Sequence, residues 1–453
     1  FIADVGIATG FKSSEVNKKK NINHFFAKFK KSLDTAKFLT SDLTLFVERV
    51  SKDTYLKIFS DNFLDNEVKP KNHDVLNSGI NLFIEDNNFT LSGGIEVYED
   101  LTKIQSDRYQ FVLPHYSFSK NPINFNYGVL NFSSNGNSTL DNTNNQKTRI
   151  INDFNFKMND KILEKTGLVN NFNFYFKNLN SLGKNVANYK SSPQVEMQSL
   201  IEFNSELPLK KITANHNQTL IPRLSLRINP GDMKNHSDSE RKISTDNIFE
   251  INRLGIDDSL EAGNSLTVGV DYKSEEIENN EKYVQLKLAS VFRNSEEKNI
   301  PTQTSLNKKN SNLFGSIDYN MSKNLNLNFD FKIDNKIETF NYNSIGLDLS
   351  LNNFVTKFNF IEEDSNQGST NIIENTTTYN FNDRNYISFK TRRNREIDLT
   401  EYYNLVYEYK NDCLTAGIKF NKSYYEDRDL KPSENIMFSI SFYPLTSVQQ
   451  SFR

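Results

Sequence analysis

The 453-residue chain has no tryptophan, a single cysteine (Cys413), 10 prolines and 17 glycines. One thiol excludes an internal disulfide framework and an all-cysteine metal site. So few prolines and glycines exclude collagen-like and linker-like chains. Lys+Arg 54 against Asp+Glu 57 leaves a formal net charge of −3, so there is no global basic field to hold nucleic acid. Mean hydropathy is −0.64, and no apolar run approaches the roughly 20 residues of a membrane-crossing helix. The five histidines, His24, His73, His115, His216 and His236, are scattered without metal-ligand spacing. A Gly-x-Ser-x-Gly elbow, a phosphate loop and a dinucleotide fingerprint are all missing. The inventory therefore leads to the expectation of no enzyme, no cofactor and no metal.

What is present runs against the low hydropathy. Phe 36 and Tyr 20 lift the aromatic fraction to 12%, a load that disordered chains do not carry. Alternation with period two resolves the conflict. Leu325, Leu327, Phe329, Phe331 and Ile333 interleave with Asn326, Asn328, Asp330, Lys332 and Asp334. Phe172, Phe174 and Phe176 share one face, while Asn171, Asn173, Tyr175 and Lys177 share the other. Tyr403, Leu405, Tyr407 and Tyr409, and later Ile436, Phe438, Ile440 and Phe442, repeat the pattern. Successive side chains on a strand point to opposite faces, so each segment has one apolar and one wet face. Helical spacing never persists beyond short stretches such as 28–39.

The alternation predicts about 23 strands along 1–453, including 53–59, 122–134 and a final strand over 434–445. Asn/Asp/Gly clusters at Asp86-Asn87-Asn88, Asn135-Gly136-Asn137, Asn229-Pro230-Gly231-Asp232, Asn352-Asn353 and Asn411-Asp412 carry turn chemistry. Longer polar loops are expected over 135–146, 229–246, 294–310 and 364–370. Short turns at one end and long loops at the other are the layout of an outer-membrane barrel. A soluble sandwich rarely holds so many antiparallel strands in one unit, and no short repeat marks a solenoid. In lipid, closure satisfies the backbone and the apolar face needs no covering sheet. The fold class expected is all-β: a large antiparallel transmembrane barrel of about 22–26 strands. A secreted structural β-protein is the soluble alternative. The chain opens on Phe1-Ile2-Ala3-Asp4 and reads as strand at once, which leads to the expectation of an N-terminus cut inside a folded region.

Three segments narrow the function. The first is Ser106-Asp107-Arg108-Tyr109 through Leu113-Pro114-His115. The second runs from Asp246-Asn247-Ile248-Phe249 through Asn252-Arg253 to Asp258, Glu261 and Gly263. The third is Tyr409-Lys410-Asn411-Asp412-Cys413-Leu414, followed by Ser423 to Leu430 and a terminal Ile436–Phe442 strand. In this order the chain resembles the barrel region of the LPS-assembly outer-membrane protein family (LptD, also called organic solvent tolerance protein). It departs from the family's second motif at Gly255-Ile256 and Ser259.

The resemblance implies transport without covalent chemistry: insertion of lipopolysaccharide into the outer leaflet of the Gram-negative outer membrane. It implies lipopolysaccharide and outer-membrane lipid as partners, an LptE-like lipoprotein plug inside the barrel, and a periplasmic transport bridge reached through an N-terminal jellyroll. That jellyroll, and the first barrel strands, are expected to lie outside these 453 residues. A general porin or receptor-type channel fits the polar lumen as well. Under the resemblance, Cys413 would pair with a cysteine of the N-terminal domain; alone, it reads as a free thiol. Asp427, Arg428 and Asp429 are candidates for lumen or seam contacts, or form a local ion-pair cluster worth little energy. Pro444, lacking an N–H, weakens pairing at the end of the last strand or simply ends it. Arg392, Arg393 and Arg395 form a basic patch that could meet phosphates, although alternation separates Arg392 from the other two. Tyr109, Tyr403, Tyr407 and Tyr409 fit interfacial girdles.

Overall fold

The computed structural model describes residues 1–11, 20–33, 37–58, 67–104, 107–142, 144–365, 368–424, 432–442 and 446–452. Among them, strands form one 25-stranded sheet in which chain neighbours pair antiparallel. Two segments continue interrupted staves. Lys161–Leu163 follows Asn145–Met158 against Leu168–Lys184, and Leu209–Ile212 follows Gln194–Glu206 against His216–Asn229. The architecture is the expected transmembrane β-barrel. At the two ends of the sheet, Ile2–Phe11 pairs with Lys20–Ser32 and Thr446–Phe452 pairs with Ser433–Phe442.

The alternation settles which face is which. Phe172, Phe174 and Phe176 stand exposed on the outside, while Lys177 on the opposite face is buried in the lumen. Rings continue across strands as a girdle: Phe118, Phe132, Phe154 and Phe176 follow one another with centroids 4.6 to 6.2 Å apart. Tyr109 and Tyr407 are exposed as girdle residues should be. Beside that row the outer face turns polar and satisfies itself. The Tyr116 hydroxyl lies 3.0 Å from Ser134 Oγ, Ser134 donates to Asn152 at 2.7 Å, and Asn152 donates to Asn178 at 3.0 Å.

Loop lengths alternate from end to end. The turns at 126–127, 323–324, 352–353 and 383–384 share one end, while the connections 51–74, 230–262 and 294–312 share the other. Short turns are the periplasmic end of such a barrel and long loops the external end. Cys413, exposed and unpaired with any other cysteine of this chain, lies in the turn between Leu399–Lys410 and Leu414–Ser423, at the short-turn end.

Several expectations need correction. In the expected strand 53–59 the described residues, 53–58, are not strand: Tyr55–Ile58 is a single helical turn. Four alternating residues cannot separate the two periods, and here Tyr55 and Leu56 both face one cluster with Ile22, Phe26, Val68, Leu76 and Leu101. The segment 135–146 is not a loop. Gly128–Asp141 runs straight through Asn135-Gly136-Asn137, and Asn145–Met158 returns after a tight turn. Its Asn and Ser side chains suit a strand with polar groups on both faces, which composition alone reads as a turn. The expected loop 364–370 is likewise mostly strand, in Phe354–Ser365 and Gly368–Asn382. Thr446–Phe452 is a strand the alternation did not announce. Asp427, Arg428, Asp429 and Pro444 lie outside the described residues.

Candidate functional site

The residues of the second motif meet in the lumen, where among the described residues the longest connection is 230–262. It does not project outward. It folds against the inner wall, beside 294–312. Met233, Ile243, Ile248, Leu254, Ile256, Ala262, Ile300 and Leu306 pack there on Ala289, Val291 and Phe314 of the wall. Burial of this size, at roughly 25 cal/mol per Å² of apolar surface, holds the loop in place.

A charged network fixes its end. Arg253 donates to both carboxylate oxygens of Glu261, at 2.7 and 2.6 Å, and also to Thr267 Oγ1 at 2.8 Å and Ser265 Oγ at 3.0 Å. Arg293 donates to Glu261 Oε1 at 2.6 Å and to the carbonyl of Ala262. Arg227 donates to Glu202 at 2.8 Å and to the carbonyl of Glu250. All five charged groups are buried. Burial alone would raise the Glu261 carboxyl, but Arg253, Arg227 and Arg293 override it and hold it at about 2. Asp258, also in the loop, would be raised by burial. The His236 contact at 3.0 Å and the Tyr189 hydroxyl instead hold it well below the carboxylate range.

The loop is tied to strands on both sides. Lys177 reaches the Asp257 carbonyl at 2.6 Å, Gln198 accepts from the Leu260 amide at 2.6 Å, and Lys287 meets Asp246 at 2.7 Å. Thr245 Oγ1 lies 3.0 Å from Ser316 Oγ, and Lys242 donates to Glu363 at 2.6 Å. Gly263 opens the next strand at φ 78°. A side chain there would be strained, and its Cβ would sit 2.9 Å from the Arg293 guanidinium.

The motif residues thus fall into separate places. Asn252, Arg253, Asp258, Glu261 and Gly263 build the inserted loop and its anchor. Arg108 donates to Glu99 and to Asp53, both at 2.6 Å, and so clips the connection 51–74 onto the wall. Asp107 and Tyr109 flank it. Pro114 sits inside the strand Tyr109–Phe125, where the register slips between Val112 and His115. A residue without an N–H is tolerated at such a bulge. Asp412 lies in the turn beside Cys413. Of the basic patch, Arg392 faces the lumen between Glu374 at 3.2 Å and Glu401 at 2.8 Å, whereas Arg393 pairs with Asp398 at 2.5 Å near the turn 395–398. Glu202, Arg227 and Arg293 are three of the anchor's five charged groups and were not anticipated. The available signal was a charge at an inward position of an apolar alternation, as in Leu224-Ser225-Leu226-Arg227-Ile228.

Among the described residues no group of His, Cys, Asp and Glu could hold a metal ion. Cavities remain beside the loop. One of about 390 Å³ lies between Asn171, Asn173, Asn204, Arg223 and Phe249. Another of about 400 Å³ is bounded by His115, Asn137, Arg149, Tyr175 and Asn252. Their walls offer amide, guanidinium and hydroxyl groups.

Residues 34–385 match the model of the family described as LptD: LPS transport system D. The chain belongs to this family. LptD membership makes the barrel an outer-membrane component of lipopolysaccharide assembly in a Gram-negative cell. Among curated proteins, none matches the chain. Solved structures with a similar outline include a ferric enterobactin receptor (PfeA) mutant from Pseudomonas aeruginosa, at 8% identity and TM-score 0.38, covering 83% of this chain and 71% of that one. The siderophore receptor PirA from Acinetobacter baumannii is similar at 9% identity and TM-score 0.38, covering 92% and 74%.

Proposed function

We propose that this LptD barrel moves lipopolysaccharide by supplying a hydrated route for its sugar chain while the lipid part stays in contact with membrane, with no covalent step and no cofactor. The observation that carries this reading is the polar lumen of a barrel in the lipopolysaccharide transport family. A glycan leaving water needs hydrogen-bonding walls, because an unmet polar group costs free energy in proportion to its desolvation. The inward Asn326, Asn328 and Asp330 supply such groups.

The finer assignments belong to the same reading. An LptE-like lipoprotein occupies part of the lumen, and a periplasmic bridge delivers lipopolysaccharide to the short-turn end. Cys413 stands at that end, where a disulfide to a periplasmic domain would form. Depletion of the chain in its host should remove newly made lipopolysaccharide from the cell surface, and affinity purification should retain a lipoprotein. Normal surface lipopolysaccharide after depletion, together with ion conductance by the purified barrel alone, would instead make it a general porin.

A further inference from the structure

The two halves of the lumen are built differently. On the wall covered by 230–262 and 294–312, inward polar groups are buried: Lys177, Gln198, Glu202, Arg227, Arg293 and Ser316 among them. The two connections still reach Lys332, Tyr342 and Glu363 on the next strands, but from Gly368 to Phe442 the contrast is complete. Met437 is the one side chain buried in that stretch among the described residues.

The strand registers align one lumen-facing row across this uncovered wall. Lys357 lies opposite Thr376, Thr376 opposite Lys390, Lys390 opposite Asn404, Asn404 opposite Asn421, and Asn421 opposite Asn435. Neighbouring strands are about 4.8 Å apart, so the row spans an arc of roughly 24 Å. It carries amides, a hydroxyl and two ammonium groups, and no aromatic or aliphatic side chain. Lys390 rests its charge over the Tyr402 ring, 5.7 Å away.

We propose that the inserted loop is a fixed partition and that the sugar chain of lipopolysaccharide runs along this uncovered row. The inference rests on the transport reading above and locates the route within it. Three features favour a glycan over a protein on this wall. The row lacks an apolar anchor of the kind that centres protein interfaces. Its amides and hydroxyl suit sugar hydroxyls, and Lys390 suits sugar phosphates or carboxylates, while Lys357 is met by Asp348 at 3.4 Å. The opposite wall is already occupied by the chain's own loop, held by a buried network that would have to be broken for the loop to move.

The test is site-specific photo-crosslinking in growing cells, with p-benzoylphenylalanine in place of Thr376 or Asn404, and in place of Asn171 on the loop-covered side. Lipopolysaccharide adducts are expected at the first two positions and not at the third. In parallel, Thr245→Cys combined with Ser316→Cys staples the loop to the wall, and each preparation serves as its own control when reduced. Surface lipopolysaccharide is expected to be the same with the staple oxidised or reduced. Loss of surface lipopolysaccharide only on oxidation would overturn the fixed partition. Adducts at Asn171 instead of Asn404 would overturn the placement while leaving transport intact. Protein adducts alone at Thr376 and Asn404 would assign this wall to the lipoprotein. No lipopolysaccharide adduct anywhere, with normal surface lipopolysaccharide on depletion, would remove the transport reading itself.

Discussion

Replacing Glu261 with glutamine should free the inserted loop without disturbing the barrel wall. Glu261 accepts from Arg253 and Arg293 at 2.6 to 2.7 Å, with Arg227 3.6 Å away. Three buried arginines share two buried carboxylates, so Glu261→Gln leaves Glu202 alone to balance them. The amide keeps the volume but turns an N–H₂ group toward a guanidinium. Removing one partner of a buried ion pair costs about 3–5 kcal/mol. Since about 1.4 kcal/mol is tenfold, local opening should become on the order of a hundred- to several-thousandfold more frequent. Hydrogen exchange in detergent-solubilised protein reads this at the amides of Ile248, Gly255 and Leu260, which are bonded to Ser244, Asn252 and Gln198. Glu363→Gln is the control, because its partner Lys242 is 68% exposed and such pairs are worth under about 1 kcal/mol. The reasoning fails if the two variants accelerate exchange equally. A pH series gives an independent check. Glu261 is depressed from 4.5 to about 2, so its contribution is complete above the unfolded value. Loop protection should persist at pH 5, weaken as pH falls below about 4.5, and be lost through about 2.

Other perturbations separate wall, lumen and membrane faces. Leu56→Ala empties a buried site against Phe26 and Leu76; a loss of about 2–5 kcal/mol should make the connection 51–74 sensitive to protease while 230–262 stays protected. Phe174→Arg puts a charge on the lipid face at a cost of about 2–4 kcal/mol and should lower the temperature at which the barrel loses its compact gel mobility, whereas Asn173→Arg on the lumen side should shift it less. Gly94→Ala would bring a Cβ to 2.1 Å from the Ile80 carbonyl oxygen, so assembly into the membrane should drop; normal yield would mean the two strands can part without loss. Cys413, if still a thiol in cells, should react with an impermeant maleimide only after the outer membrane is opened, and labelling of intact cells would invert the assigned orientation.

Much of the wall was legible because its chemistry repeats. Phe172, Phe174 and Phe176, or Leu325 to Ile333, declare a strand and its two faces within a few residues. Legibility failed where a strand is polar on both faces, as at Asn135-Gly136-Asn137, and where alternation is too short to choose a period, as at Tyr55-Leu56-Lys57-Ile58. The lumenal anchor was half legible. Arg253 and Glu261 stand eight residues apart in one motif, but Glu202, Arg227 and Arg293 come from three different strands, and only pairing register brings them together. The direction of the 230–262 connection could not be read at all. Its polar composition suits an external loop, and its apolar residues, Ile243, Ile248, Leu254 and Ile256, are spaced without a period.

The one-sided filling of the lumen also has a mechanical meaning. A barrel wall braced from within over part of its width resists changes of curvature there and concentrates them elsewhere. Among the described residues the strands from Gly368 to Phe442 carry no such brace, so they form the compliant arc of the wall. When bulky cargo enters, the cross-section should widen by flattening that arc, as a tube with one thick wall ovalises toward its thin one.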